Sequence, residues 1–123
     1  MIVVVAEKPS VARDIARVLG ARERGEGHLR GAGYAVTWAI GHLVQLCPPE
    51  QVDARWRSWR FDALPMIPPK FPLHVIEATR GQFEVVQRLL GAPDTREVVC
   101  ATDAGREGEL IFRHIVELCQ LRT

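Results

Sequence analysis

Residues 1–20 read MIVVVAEKPSVARDIARVLG. The run Ile2–Ala6 is unbroken and β-branched, the pattern of a strand buried on both faces in a parallel sheet rather than the alternation of a half-exposed one. Pro9 and Ser10 supply helix-start signals, Val11, Ile15, Val18 and Leu19 recur at helical spacing, and Gly20 stands where a C-terminal glycine belongs. This is a βα unit. Near the other end a second one follows: Glu97–Ala101 reads as another buried strand, Thr102–Gly108 as the turn after it, and a last helix ending near Leu121 turns Leu110, Ile111, Ile115, Val116 and Leu118 inward. Between the two units, residues 21–33 are rich in Gly and charge and read as a loop, and Tyr34–Ile40 alternates as a strand carrying Trp38 until Gly41. Cys47–Pro72 gathers most of the prolines with Trp56 and Trp59, which predicts an ordered excursion held by its aromatics, with at most a turn or two of helix. Leu73–Glu77 is a short strand, and Phe83, Val86, Leu89 and Leu90 mark an amphipathic helix closed by Gly91 and Pro93. Strands alternating with helices imply an α/β fold with a mainly parallel sheet flanked by helices, its ligands at the C-terminal ends of the strands.

Composition sets the outer bounds. At 123 residues, 47% apolar and 25% charged, the chain suits one domain with one core. A formal charge of +1 excludes an overall cationic field able to hold nucleic acid, so any such contact must come from local patches. Every basic residue except Lys8 and Lys70 is arginine, which suits bidentate phosphate contacts and equally reflects codon usage. No apolar run reaches a membrane span and the first ten residues lack the form of a signal peptide, so no membrane partner is expected and the reading is cytoplasmic. Cys47, Cys100 and Cys119 form no CxxC pair and are expected as reduced core thiols.

Two acidic sites occupy equivalent places. Glu7 directly follows the first strand, and Asp103 with Glu107 follow Val98–Ala101. In one parallel sheet they converge, and Asp103 and Glu107, four apart, share a face once the helix has begun, making an oxygen-only site suited to Mg²⁺. On spacing alone, the alternative is that Asp103 and Glu7 cap their helices while Glu107 complements a helix dipole. Lys8 beside Glu7 pairs a cation with an acid where a phosphodiester could be held, and Arg106 could reach phosphate over the same crevice; solvated surface cations are the alternative. His28, His42, His74 and His114 show no metal-ligand spacing and read as structural or surface residues. Gly31 and Gly33 form a GxG, but Val36 stands where the next glycine of a dinucleotide fingerprint belongs, so they mark a turn.

The segments AEKPSVARDIA at residues 6–16 and ATDAGREGELI at residues 101–111 resemble the two signatures of the Toprim domain of type IA DNA topoisomerases, and TWAIGHL at 37–43, Trp59–Pro65 and IPPKF at 67–71 are similar to the topoisomerase III branch. The resemblance spans nearly the whole chain. It implies the Toprim (Rossmann-like) fold for residues 1–123, as the N-terminal part of a longer topoisomerase whose final Toprim strand lies beyond. It further implies Glu7 as the acid near the leaving 3′ oxygen, Lys8 as a phosphate clamp, Arg106 beside the scissile strand, and Glu7, Asp103 and Glu107 as the metal-binding carboxylates. The implied cofactor is Mg²⁺. The implied partners are single-stranded DNA and the remaining topoisomerase domains, one of which carries the catalytic tyrosine. Gly105 replaces the middle acid of the family's DxDxE pattern, which weakens the carry-over to a two-metal arrangement, and Glu109 compensates only if the helix begins late. The only tyrosine, Tyr34, falls in a strand, so the chain by itself is expected to be inactive. A Toprim nuclease or primase would share the acids but not the accompanying segments. A non-catalytic module binding nucleic acid or protein is the rival from another class.

Overall fold

The computed structural model describes residues 1–121. Its centre is strand β1 (Ile2–Ala6), hydrogen-bonded in parallel on one side to β4 (Tyr34–Trp38) and on the other to β7 (Glu97–Ala101). Beyond β4 the sheet continues antiparallel through β3 (His28–Gly31) and β2 (Glu23–Gly25), giving the order β2-β3-β4-β1-β7. The α/β class is as expected, with a parallel centre and an antiparallel flank.

Alternation along β1 divides the core in two, because successive side chains of a strand point to opposite faces. Val4 and Ala6 meet Ala12 and Ala16 of helix α1 (Pro9–Leu19), together with Ala21 and Val36. Val3 and Val5 face the larger cluster, where helix α3 (Arg80–Leu90) contributes Phe83, Val86 and Leu89 and helix α4 (Arg106–Leu118) contributes Ile111, Phe112 and Ile115. Alanines make the fully buried contact of α1, with Val11, Ile15 and Leu19 packed half-buried around it as expected, whereas Val18, expected on the same inner stripe, is 82% exposed. Leu110 likewise lies outward on α4.

The excursion is closed at its neck. Strands β5 (Val44–Leu46) and β6 (Leu73–Val75) pair antiparallel, flanked by hydrogen bonds from the Cys47 N–H to the Pro72 carbonyl and from the Ile76 N–H to the Leu43 carbonyl, both 2.8 Å. Between them run a short helix α2 (Pro49–Val52) and helical turns at Ala54–Arg57 and Phe61–Ala63. Trp56 is the buried anchor, whereas Trp59 is almost fully exposed, so one tryptophan rather than two holds the segment.

Four further expectations are corrected. Residues 21–33 form a hairpin rather than a loop; Glu23, Arg24 and Gly25 of β2 are all exposed, and in β3 only Leu29 packs on the core, so a period-two hydrophobic signal could not appear. The strand expected over Tyr34–Ile40 ends at Trp38, where the chain turns into the Ala39–His42 loop. Strand β7 is an edge strand, half-exposed rather than buried. That edge exposes Cys100, while Cys47 and Cys119 are half-buried, with burial pushing the Cys119 thiol up to about 11.

The hairpin is tied down by a polar knot. The buried Thr37 hydroxyl donates to the Gly27 carbonyl at 2.9 Å, and the Gln82 amide reaches the Gly27 carbonyl at 3.1 Å, Thr37 Oγ1 at 3.2 Å and the Trp38 carbonyl at 2.8 Å. One side chain of α3 thus fixes both the hairpin turn and the exit of β4. Gln82→Ala strands these acceptors, and its expected cost is about 1–3 kcal/mol of unfolding free energy in urea titration; an unchanged midpoint would show that water replaces the amide without loss.

Candidate active site

Strands β4, β1 and β7 run parallel, with Ala6 opposite both Trp38 and Ala101, so the three chain exits leave the sheet level with one another. From β1 emerge Glu7 and Lys8, from β7 Thr102–Gly105, and from β4 the Ala39–His42 loop, whose Ala39 N–H donates to the Ala6 carbonyl at 2.8 Å. Such a row of strand ends is where an open α/β sheet binds ligands.

Glu7 is half-buried, and its Oε1 accepts a hydrogen bond from the Asp103 backbone N–H at 3.3 Å. The first two acids are therefore neighbours. Asp103 is held by its own turn: its carbonyl accepts from the Gly105 N–H at 2.8 Å, and the Thr102 hydroxyl donates to the Gly108 carbonyl at 2.9 Å. Gly108 is sterically required here, since a Cβ would overlap the Asp103 carbonyl oxygen and lie 3.0 Å from the Asp103 amide nitrogen and carbonyl carbon. The capping alternative fails for Asp103, because the N-cap of α4 is Gly105 and no side chain caps it. Lys8 holds the N-cap position of α1, so Glu7 is not that helix's cap either.

Glu107, in the first turn of α4, extends toward the β4 loop, where its Oε1 lies 3.4 Å from His42 Nε2. The pair is on the open side, with Glu107 78% exposed. His42, read from sequence as structural or surface, is thus a residue of the site; the signal that could have found it is its position just after a parallel strand, the same criterion that selects Glu7 and Asp103. The other described histidines have local partners or lie elsewhere: His74 meets Gln45 at 3.0 Å and His28 meets the Glu26 carbonyl at 2.9 Å. Lys8 and Arg106 are exposed and make no ion pair among the described residues, which leaves two cations beside the acids. Glu109 points away, bound to Arg113 at 2.7 Å one turn on, and the helix begins at Arg106, so Glu109 does not compensate for Gly105. A Cβ at Gly105 would meet nothing within 4 Å.

The structure thus brings Glu7 to Asp103 and Glu107 to His42. Among the described residues no three His, Cys, Asp or Glu side chains gather closely enough to form a metal cage. The donor set nevertheless fits Mg²⁺ in kind, because that ion keeps several waters and is commonly held by one or two carboxylates completed by a substrate phosphate.

Comparison with known proteins accords with this geometry. The family profile of the Toprim domain matches residues 2–123. The chain belongs to the Toprim family. This Toprim domain is 51% identical over 119 residues to the DNA topoisomerase 3 of Shouchella clausii, covering 97% of the chain and 16% of that relative. It is 51% identical over 120 residues to the DNA topoisomerase 3 of Bacillus subtilis, covering 98% of the chain and again 16% of the relative. The chain thus spans about a sixth of the length of the relatives it matches. No described helix is long and apolar enough to cross a membrane.

Because Asp103 is positioned by close backbone contact, the Toprim domain should be sensitive at Gly108. Gly108→Ala must shift the Thr102–Gly105 turn, and the expected result is a loss of about 1–3 kcal/mol by thermal or urea unfolding; a variant as stable as the parent would show that this turn is free to move.

Proposed function

We propose that this Toprim domain is the phosphate- and metal-handling part of a type IA DNA topoisomerase of the topoisomerase III kind, acting on single-stranded DNA together with further domains of the same enzyme. The observation that carries the reading is the level set of strand exits: it sets the Glu7 carboxylate on the Asp103 backbone and Glu107 beside His42, with Lys8 and Arg106 in no ion pair among the described residues. Its sequence context is half identical to proteins named DNA topoisomerase 3. Action on DNA would place the domain in the cytoplasm.

Asp103 and Glu107, with Glu7 at their side, would hold Mg²⁺, which when bound supplies positive charge to a phosphate. Lys8 and Arg106 neutralise the same phosphate from the protein side, an interaction that strengthens as negative charge grows on the oxygens in the transition state. Glu7, whose carboxylate rests on the Asp103 amide, transfers a proton to and from the leaving 3′ oxygen. Gly105 in place of a third acid of the turn leaves fewer oxygen donors and favours a single ion. The nucleophilic tyrosine comes from another domain: Tyr34 lies opposite Ile2 at the start of the strands, and the crevice lies at their far ends.

The isolated chain is therefore expected neither to cleave nor to relax supercoiled DNA at any Mg²⁺ concentration, and a DNA adduct on Tyr34 would contradict the assignment. In the full-length enzyme, Lys8→Ala should lower cleavage at least tenfold while changing DNA binding little. Equal losses in cleavage and binding would make Lys8 a docking contact instead.

A further inference from the structure

The seven residues Arg55–Phe61 read RWRSWRF, three arginines interleaved with three aromatics, and the crevice uses none of them. Trp56 is buried, and Arg55 lies over its ring at 5.9 Å while bridging to Asp53 at 2.8 Å. Asp53 also accepts from the Arg55 N–H at 2.9 Å, which fixes the start of the turn. This half of the motif is an anchor. The other half faces outward: Trp59 is 88% and Phe61 95% exposed, Arg57 is exposed with no ion pair among the described residues, and Arg60 makes only an open contact with Asp62 at 3.5 Å. A shallow groove of about 170 Å³ runs along Trp59, Arg60, Phe61, Leu64 and Met66, and Arg60 also lines an adjoining hollow of about 280 Å³ on the side of Arg55.

We propose that Trp59 and Phe61, with Arg57 and Arg60 between and beside them, form a stacking platform for single-stranded nucleic acid, separate from the strand-end crevice. Exposed aromatic rings take bases face-on without regard to sequence, and cations interleaved with them meet the backbone phosphates. Aromatics and arginine are also enriched in protein contacts, but here the positive charge of Arg57 and Arg60 is offset only by the open contact to Asp62, and that charge excess favours a polyanion. The platform is preformed, because Trp56 and the β5–β6 neck hold the segment on which it stands. It rests on the reading that this domain handles a single strand, and adds to that reading a second grip on the strand outside the site of phosphate chemistry.

The test is titration of the 123-residue chain into a fluorescently labelled deoxythymidine oligonucleotide of about 10 residues, followed by anisotropy. Trp59→Ala is expected to weaken binding about fivefold or more, Phe61→Ala similarly, and Trp59→Phe to restore most of the affinity. Arg57→Ala should reduce the salt dependence by about one phosphate contact. Both aromatic side chains are exposed, so the variants should melt with the parent. Affinity unchanged in both aromatic variants but lost in Lys8→Ala/Arg106→Ala would overturn the platform and leave the crevice reading standing. The reverse pattern would uphold the platform and accords with a crevice whose cations act on the transition state rather than in strand binding. Absence of binding in every form, or self-association of the chain relieved by Trp59→Ala, would also overturn the platform, the latter marking the patch as a protein contact.

Discussion

The parallel pairing of β1 between β4 and β7 is the constraint on which the site depends. Three strands in register end together, with Ala6 level with Trp38 and Ala101, and each hands its next residues to the same edge of the sheet. Nothing in the sequence brings Glu7 near Asp103 except this register, since 96 residues separate them. Burial supplies its energy: Val3, Val4, Val5 and Ala6 are all buried, with helices packed on both faces. Carboxylates cannot gather themselves against their mutual repulsion; apolar burial within the few residues before them holds them where they are.

The details around the acids follow from the same economy of space. Gly108 permits the Asp103 carbonyl to lie against the first turn of α4, the Thr102 hydroxyl locks that contact, and Gly105 begins the helix with extended backbone and no capping side chain. The carboxylate of Asp103 is thereby left free of structural duty. Glu107 and Glu109 sit two residues apart, and the helix turns them to different tasks: one toward His42, the other into an ion pair with Arg113. An exposed ion pair of this kind adds little stability, but it keeps Glu109 out of the crevice.

Much of this was legible in the sequence. The runs Ile2–Ala6 and Glu97–Ala101 declared parallel strands, and the acids that follow them marked a candidate site, because strand ends in such sheets are where ligands bind. The β2–β3 hairpin was not legible, because β2 is wholly exposed and Leu29 alone of β3 packs on the core, too little to show alternation. Val18 and Leu110 match the helical period but point outward, because α1 meets the sheet through Ala12 and Ala16 and α4 through Ile111 and Ile115. His42 escaped notice because an isolated histidine carries no spacing signal, and its partner lies across the sheet edge on another element. The resemblance suggested roles for Glu7, Lys8 and Arg106; the structure adds the contacts of Glu7 with the Asp103 N–H and of Glu107 with His42.

If the three strand exits form one oxygen-rich crevice, it should take Mg²⁺ weakly, with phosphate needed to complete the ion's shell. Amide chemical shifts of the isotopically labelled chain during Mg²⁺ titration, with and without a short oligonucleotide, test it directly. Fast-exchange shifts are expected to be confined to residues 6–8, 40–42 and 102–108, and to be larger and saturate at lower Mg²⁺ when the oligonucleotide is present. Shifts centred elsewhere, or residues 6–8 and 102–108 responding with unrelated affinities, would contradict it.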